Sequence, residues 1–274
     1  MKRSSKSKSL KALAALSLML ICQTNAAYAQ DGRAPIMVDK VMQSTDPRAV
    51  RVLFIGNSIT FAHSFPRMFA SLVKQCRPST PLAVTMVAGP SYTLQDHYEE
   101  LTAIKAIREG KWQYVVVQNV GALAGADPAT FERYQTAFDR EIRGIRAQPI
   151  IFEGYEDIPT EESQSVLKRA YKQVSARLRD PLLPVGTAMR AVNKQYPQIR
   201  LLAPDQHHPD KPATYLMCCL LYSYIFKSRP DLPDSLDYFD NGNTAIFKSD
   251  NPRQTAILRD VAWQVMQAQM PRTR

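Results

Sequence analysis

Ser58 and the segment Asp205-Gln206-His207-His208-Pro209 hold the side chains best suited to chemistry in this sequence. Ser58 closes the run Arg51-Val52-Leu53-Phe54-Ile55-Gly56-Asn57-Ser58. A serine hydroxyl is a poor nucleophile until a neighbouring base removes its proton. Asp205 and His208 are three residues apart, and a tight turn lets such residues face each other. The carboxylate would then accept from His208 Nδ1–H, fix the tautomer and leave Nε2 for Ser58. His207 competes as base, but a spacing of two from Asp205 directs side chains apart. On its own segment Ser58 fits a helix cap as well as a nucleophile. The weaker alternative is a metal role for His207 and His208, because adjacent histidines seldom ligate one ion and no acidic motif accompanies them.

Two other segments could hold the negative charge that such an attack develops. Gly89, in Ala88-Gly89-Pro90-Ser91, could offer its N–H or could make an ordinary Gly-Pro turn. Gln118-Asn119 follows the apolar run Val115-Val116-Val117. One of these two amides is expected to donate to an oxyanion and the other to serve the loop backbone. His97 reads as a surface or helix-packing residue. Tyr92, Tyr98, Tyr155 and Glu153 read as polar and aromatic groups on loops, available to a carbohydrate.

These residues need elements to place them. Apolar runs at Val50 to Ile55, Pro81 to Val87, Gln113 to Val117, Pro149 to Phe152 and Leu182 to Val185 read as five strands. Helical spacing marks Phe65 to Cys76, Thr93 to Glu109 with a break in the middle, Pro128 to Arg146, Thr160 to Leu178, Thr187 to Lys194, Pro212 to Phe226 and Pro252 to Met270. Strands alternating with helices imply parallel crossovers and a sheet covered on both faces. In such sheets chemistry gathers beyond the carboxyl ends of the strands, where Ser58, Gly89 and Gln118-Asn119 all fall.

Residues 1–29 read as a signal peptide, with a basic start at Lys2, Arg3, Lys6, Lys8 and Lys11 and small residues at Ala27 and Ala29. The apolar stretch from Ala12 to Ile21 is too short for a stable membrane anchor. Ile21 before Cys22 argues against lipidation. The mature chain is then expected in the periplasm or secreted, with residues 30–48 as a lead-in and 49–274 as one domain. Five of the 35 basic residues and none of the 25 acidic ones lie in the first thirty, which leaves a net charge of +5. That balance gives no reason to propose a nucleic-acid partner. Of Cys76, Cys218 and Cys219, at most one of the adjacent pair could face Cys76; the other reading is three buried thiols. Neither Cys-x-x-Cys nor His-Glu-x-x-His occurs, so there is no strong metal signature.

The pattern resembles the SGNH hydrolases, or GDSL-type esterases, over about residues 50 to 270. Phe54-Ile55-Gly56-Asn57-Ser58-Ile59-Thr60 resembles the first block, with asparagine in place of the commoner aspartate. Gly89 fits the second. Asp205-Gln206-His207-His208-Pro209 matches the fifth. The third block reads Gln118-Asn119 instead of Gly-x-Asn-Asp, closer to a poorly characterised exported branch. The resemblance implies a three-layer α/β/α sandwich with a five-stranded parallel, flavodoxin-like sheet. It implies Ser58 as nucleophile, His208 as base and Asp205 as orienting acid. The Ser58 and Gly89 N–H groups, with Gln118 or Asn119, would form the oxyanion hole. The implied activity is ester hydrolysis without a cofactor or metal, on a small ester or an acylated glycan. Deacetylation of carbohydrate is the favoured expectation. The alternatives are a glycan-binding protein without turnover, or a lipid-directed thioesterase or lysophospholipase.

Overall fold

The computed structural model describes residues 34–156, 161–231, 235–240, 243–248 and 253–269. The expected signal peptide, Cys22 and the ends at Thr160, Pro252 and Met270 lie outside them. The chain divides into Met1–Pro35, of which only residues 34 and 35 are described, and Ile36–Arg274.

Within the second unit, β1 (Met37–Met42) precedes β2 (Val50–Gly56), α1 (Ser58–Phe61), a 3-10 turn and α2 (Phe65–Cys76). Then come β3 (Leu82–Ala88), α3 (Leu94–Glu99), α4 (Thr102–Glu109) and β4 (Tyr114–Val117). Next are α5 (Leu123–Ala126), α6 (Pro128–Gly144), β5 (Gln148–Phe152), α7 (Glu161–Leu178) and β6 (Leu182–Leu183). The chain continues with α8 (Val185–Gln195), α9 (Lys211–Phe226), β7 (Ser235–Asp240), β8 (Asn243–Lys248) and α10 (Gln254–Gln267).

The main sheet runs β1-β3-β2-β4-β5-β6, with every neighbour parallel except the β1–β3 pair. Alternate residues of β2 explain the three layers, because successive side chains leave a strand on opposite faces. Val52 and Phe54 join one core with α2, α8, α9 and α10, while Leu53 and Ile55 join another with α4 and α6. Burial on both faces is why the parallel strands read as unbroken apolar runs. Helix α9 is buried through Ala213 to Ser223, as a helix apolar on all sides must be.

The expected five-stranded sheet is corrected to six strands. Part of the stretch read as lead-in pairs antiparallel with β3, from Met37 opposite Ala88 to Met42 opposite Val84. Half of this edge strand is exposed and none of it is fully buried, so Met-Val-Asp-Lys-Val-Met lacks the continuous apolar character of the others. Asp39 of β1 pairs with Arg67 of α2 at 2.7 Å. The β7–β8 hairpin is also absent from the sequence reading. The break expected between Thr93 and Glu109 is found at Leu101, which adopts φ 62°.

The parallel strands wind from β2 to β3 on one side and return past β2 to β4 on the other. That reversal opens a crevice at their carboxyl ends. Ile55 lies opposite Val117, so Gly56-Asn57-Ser58 and Gln118-Asn119 leave the sheet side by side.

Candidate active site

Asn57, not Ser58, caps α1. Its Oδ1 accepts from Ile59 N–H at 3.1 Å, and its Nδ2 donates to the Tyr92 carbonyl at 3.1 Å. Thr60 and Phe61 N–H both donate to the Asn57 carbonyl, and Asn57 N–H donates to Gln118 Oε1. Among residues 57–61 only the Ser58 N–H has no partner among the described residues. It sits at the positive end of a turn of helix, with the half-buried Ser58 hydroxyl beside it.

Gln118 supports this corner. Its Oε1 accepts from Asn57 N–H and Thr60 Oγ1–H, both at 2.9 Å, and its Nε2 donates to the Asn119 carbonyl. Both ends of the amide are therefore used internally. A Cβ at Gly56 would collide with Thr60 Oγ1 and Gln118 Oε1, which is why glycine ends β2. Asn119 differs: its Oδ1 accepts from Leu94 N–H at 3.2 Å, while its Nδ2 has no partner among the described residues.

Gly89 is buried, and its N–H donates to the Gly56 carbonyl at 3.3 Å. The same carbonyl accepts from His97 Nε2–H at 2.7 Å. His97 is fully buried, and burial pulls its imidazole below the ordinary histidine range against the opposing effect of that bond. It is a neutral packing residue behind β2.

Asp205 and His208 do meet. Asp205 Oδ2 takes His208 Nδ1–H at 2.7 Å, and its Oδ1 accepts the His207 and His208 backbone N–H groups at 3.0 Å each. These backbone bonds, His207 first, and the imidazole hold the Asp205 carboxyl well below the usual carboxylate range. Gln206, at φ 58°, makes the turn that brings them together. His207 points elsewhere, its ring edge-on to His208 with centroids 4.7 Å apart. Contacts beyond the turn tie it to the rest of the crevice: Tyr155 hydroxyl donates to the His207 carbonyl at 3.1 Å, and His63 Nε2 lies 3.5 Å from Asp210 Oδ1. Asp210 also caps α9. Ser58 Oγ and His208 Nε2 are not joined by a hydrogen bond; such contacts are often long before substrate binds.

No family model matches the sequence, and no curated protein matches it. Solved structures do. A protein from Slackia heliotrinireducens bearing the SGNH hydrolase name aligns at TM-score 0.54 and 22% identity, over 63% of this chain and 97% of that one. The fold is that of an SGNH hydrolase. A DUF4886 family protein from Bacteroides uniformis aligns at TM-score 0.60 and 14% identity, over 80% of this chain and 95% of that one. An acetylxylan esterase from Geobacillus stearothermophilus aligns at TM-score 0.52 and 16% identity, over 65% and 94%.

On this SGNH scaffold the structural role of Gln118 is the main thing that sequence reasoning did not find. The partners of its Oε1 lie about sixty residues away in the sequence. The polar loop side chains also behave differently from expectation. Glu153 is buried and binds Thr187 N–H, Thr187 Oγ1 and Arg190. Tyr92 hydroxyl donates to Glu100, and Tyr98 packs edge-on against Tyr134 and Phe138. Cys218 and Cys219 are buried thiols, and burial pushes both well above the ordinary range.

Proposed function

We propose that this protein is a serine esterase. The observation that carries the reading is a division of labour at the first turn: Asn57 does the capping, which leaves the Ser58 hydroxyl and N–H without partners among the described residues, while Asp205 takes His208 Nδ1–H and so leaves Nε2 to act on Ser58.

In the reaction Ser58 Oγ bonds to the acyl carbon as His208 Nε2 takes its proton. Asp205 stabilises the imidazolium. The Ser58 N–H and Asn119 Nδ2 receive the oxyanion; one such donor contributes about 3 kcal/mol in the transition state. Gly89 N–H joins them only if it leaves the weak bond to Gly56. The leaving alcohol takes the proton from His208. Water then adds to the acyl carbon as His208 Nε2 takes one of its protons, and the acid departs as the imidazolium returns that proton to Ser58 Oγ.

The favoured substrate is an acetylated carbohydrate, and the likeness to an acetylxylan esterase supports it. A cleaved leader at residues 1–29 and export to the periplasm or beyond complete the reading. Hydrolysis of p-nitrophenyl acetate, butyrate and decanoate, beside acetate release from acetylated xylo-oligosaccharide, tests the substrate class. Rates should be highest for acetyl. Rates that rise with chain length would point to a lipid-directed thioesterase or lysophospholipase instead.

A further inference from the structure

The amino end of the sheet, opposite Ser58, carries a second concavity with its own chemistry. A cavity of about 670 Å³ opens at the start of β4 and β5, walled by Trp112, Tyr114 and Tyr224 and by Arg143, Arg146 and Lys227. Among the described residues no carboxylate lines it. An adjoining cavity of about 580 Å³ shares Tyr224 and Lys227 and adds Lys172, Arg179 and Asp180.

The cations differ in what they are doing. Arg143 is committed to Asp139 and Asp180. Arg146, Lys172, Arg179 and Lys227 have no ionic partner among the described residues. Asp180, which lines the second cavity, is buried and engaged with Arg143. Lys227 Nζ rests 4.1 Å above the Tyr224 ring, and desolvation lowers its pKa with no acid to offset it.

The backbone adds an independent observation. Arg146, Arg179 and Lys227 follow α6, α7 and α9 at φ 61°, 57° and 53°. Glycine is the usual residue where a chain leaves a helix in this conformation. A cation there complements the helix dipole. The dipole alone does not require all three to open onto adjoining cavities.

We propose that this end of the sheet binds an acidic polysaccharide strand bearing uronate groups. The cations are spread over two joined cavities instead of converging on one point, which suits a polymer with one charge per sugar better than a single dianion. The rings of Trp112, Tyr114 and Tyr224 offer apolar surface to sugar faces. The Gln113 and Gln148 amides can reach hydroxyl groups. The proposal is independent of Ser58 chemistry.

The test measures binding of a defined oligogalacturonate to the full protein, with a neutral xylo-oligosaccharide, inorganic phosphate and a single-stranded oligodeoxynucleotide as comparisons. The combined variant Arg146→Gly, Lys227→Gly removes two charges at positions where glycine is sterically preferred, so loss of folding is not expected. The wild-type protein should bind the oligouronate above the neutral sugar. The variant should bind at least about tenfold more weakly, as loss of charge-assisted bonds implies, with p-nitrophenyl acetate turnover unchanged. Equal binding by the variant, no binding by wild type, or tighter binding of phosphate or the oligonucleotide would overturn the proposal.

Discussion

The bonds to Gln118 Oε1 that brace the Ser58 corner join residues 58 to 61 positions apart; those that Asp205 makes join residues two or three apart. The first region is buried and tied into β2 and β4. The second is an exposed turn that shapes itself and is then fastened by Tyr155 and by the His63–Asp210 contact. A nucleophile needs a rigid, partly desolvated corner. A base can sit on a self-contained turn, provided one carboxylate sets its tautomer. Damage should therefore look different in the two regions: loss of rate without loss of fold at the turn, and loss of both at the corner.

The sharpest break should come at Asp205. In Asp205→Asn the amide oxygen can keep the two backbone bonds, but the NH₂ would face His208 Nδ1 and favour the wrong tautomer. We expect kcat to fall on the order of 10⁴-fold with an unchanged melting temperature. Steady-state kinetics beside a thermal melt checks this, and a large drop in Tm would contradict the picture of a self-contained turn.

Next come the neighbouring amides, which should respond in opposite ways. Asn119→Ala removes Nδ2 and should lower kcat about 10²- to 10³-fold; it also strands the Leu94 N–H, one buried group against two for Gln118, so its Tm should fall less. Gln118→Ala strands the buried Asn57 N–H and the Thr60 hydroxyl, at about 1–3 kcal/mol for each group left unsatisfied. Its Tm should drop by several degrees. If the two variants exchange phenotypes, Gln118 is the oxyanion donor and Asn119 the support.

The smallest effect concerns pH. His97 is held neutral by burial, so its folded pKa lies below the unfolded value of 6.5. Below that pH the unfolded chain binds a proton that the native state does not, so stability is full above about 6.5 and falls as pH drops. Asp180, raised by burial, acts in the opposite sense. The quantity to compare is therefore the difference between wild type and His97→Gln in denaturant unfolding from pH 7.5 to 5. The variant should lose less stability on acidification; parallel curves would contradict a neutral buried His97.

The same contrast explains what the sequence could reveal. The Asp205–His208 pairing is local, and its spacing alone predicts it. Strands buried on both faces announce themselves through unbroken apolar runs, as in β2 and β3. The edge strand β1 does not, because Asp39 and Lys40 interrupt a stretch with no fully buried residue, whose partner lies more than forty residues later. The use of Gln118 as a brace and of Asn57 as a cap depends on which residues β2 and β4 bring together. A serine after a glycine and an asparagine cannot say whether it is itself the cap. Glu153 looked like a loop group open to substrate, but Thr187 and Arg190 draw it into the interior.

The central claim is that Ser58 is a nucleophile activated by His208. Intact-mass analysis after incubation with a fluorophosphonate, followed by peptide mapping, tests it most directly. The account predicts one adduct per chain, on Ser58, absent in Ser58→Ala and strongly slowed in His208→Ala. A folded wild-type protein that takes up no label, or takes it up on a residue other than Ser58, would contradict it and favour a glycan-binding protein on the same fold.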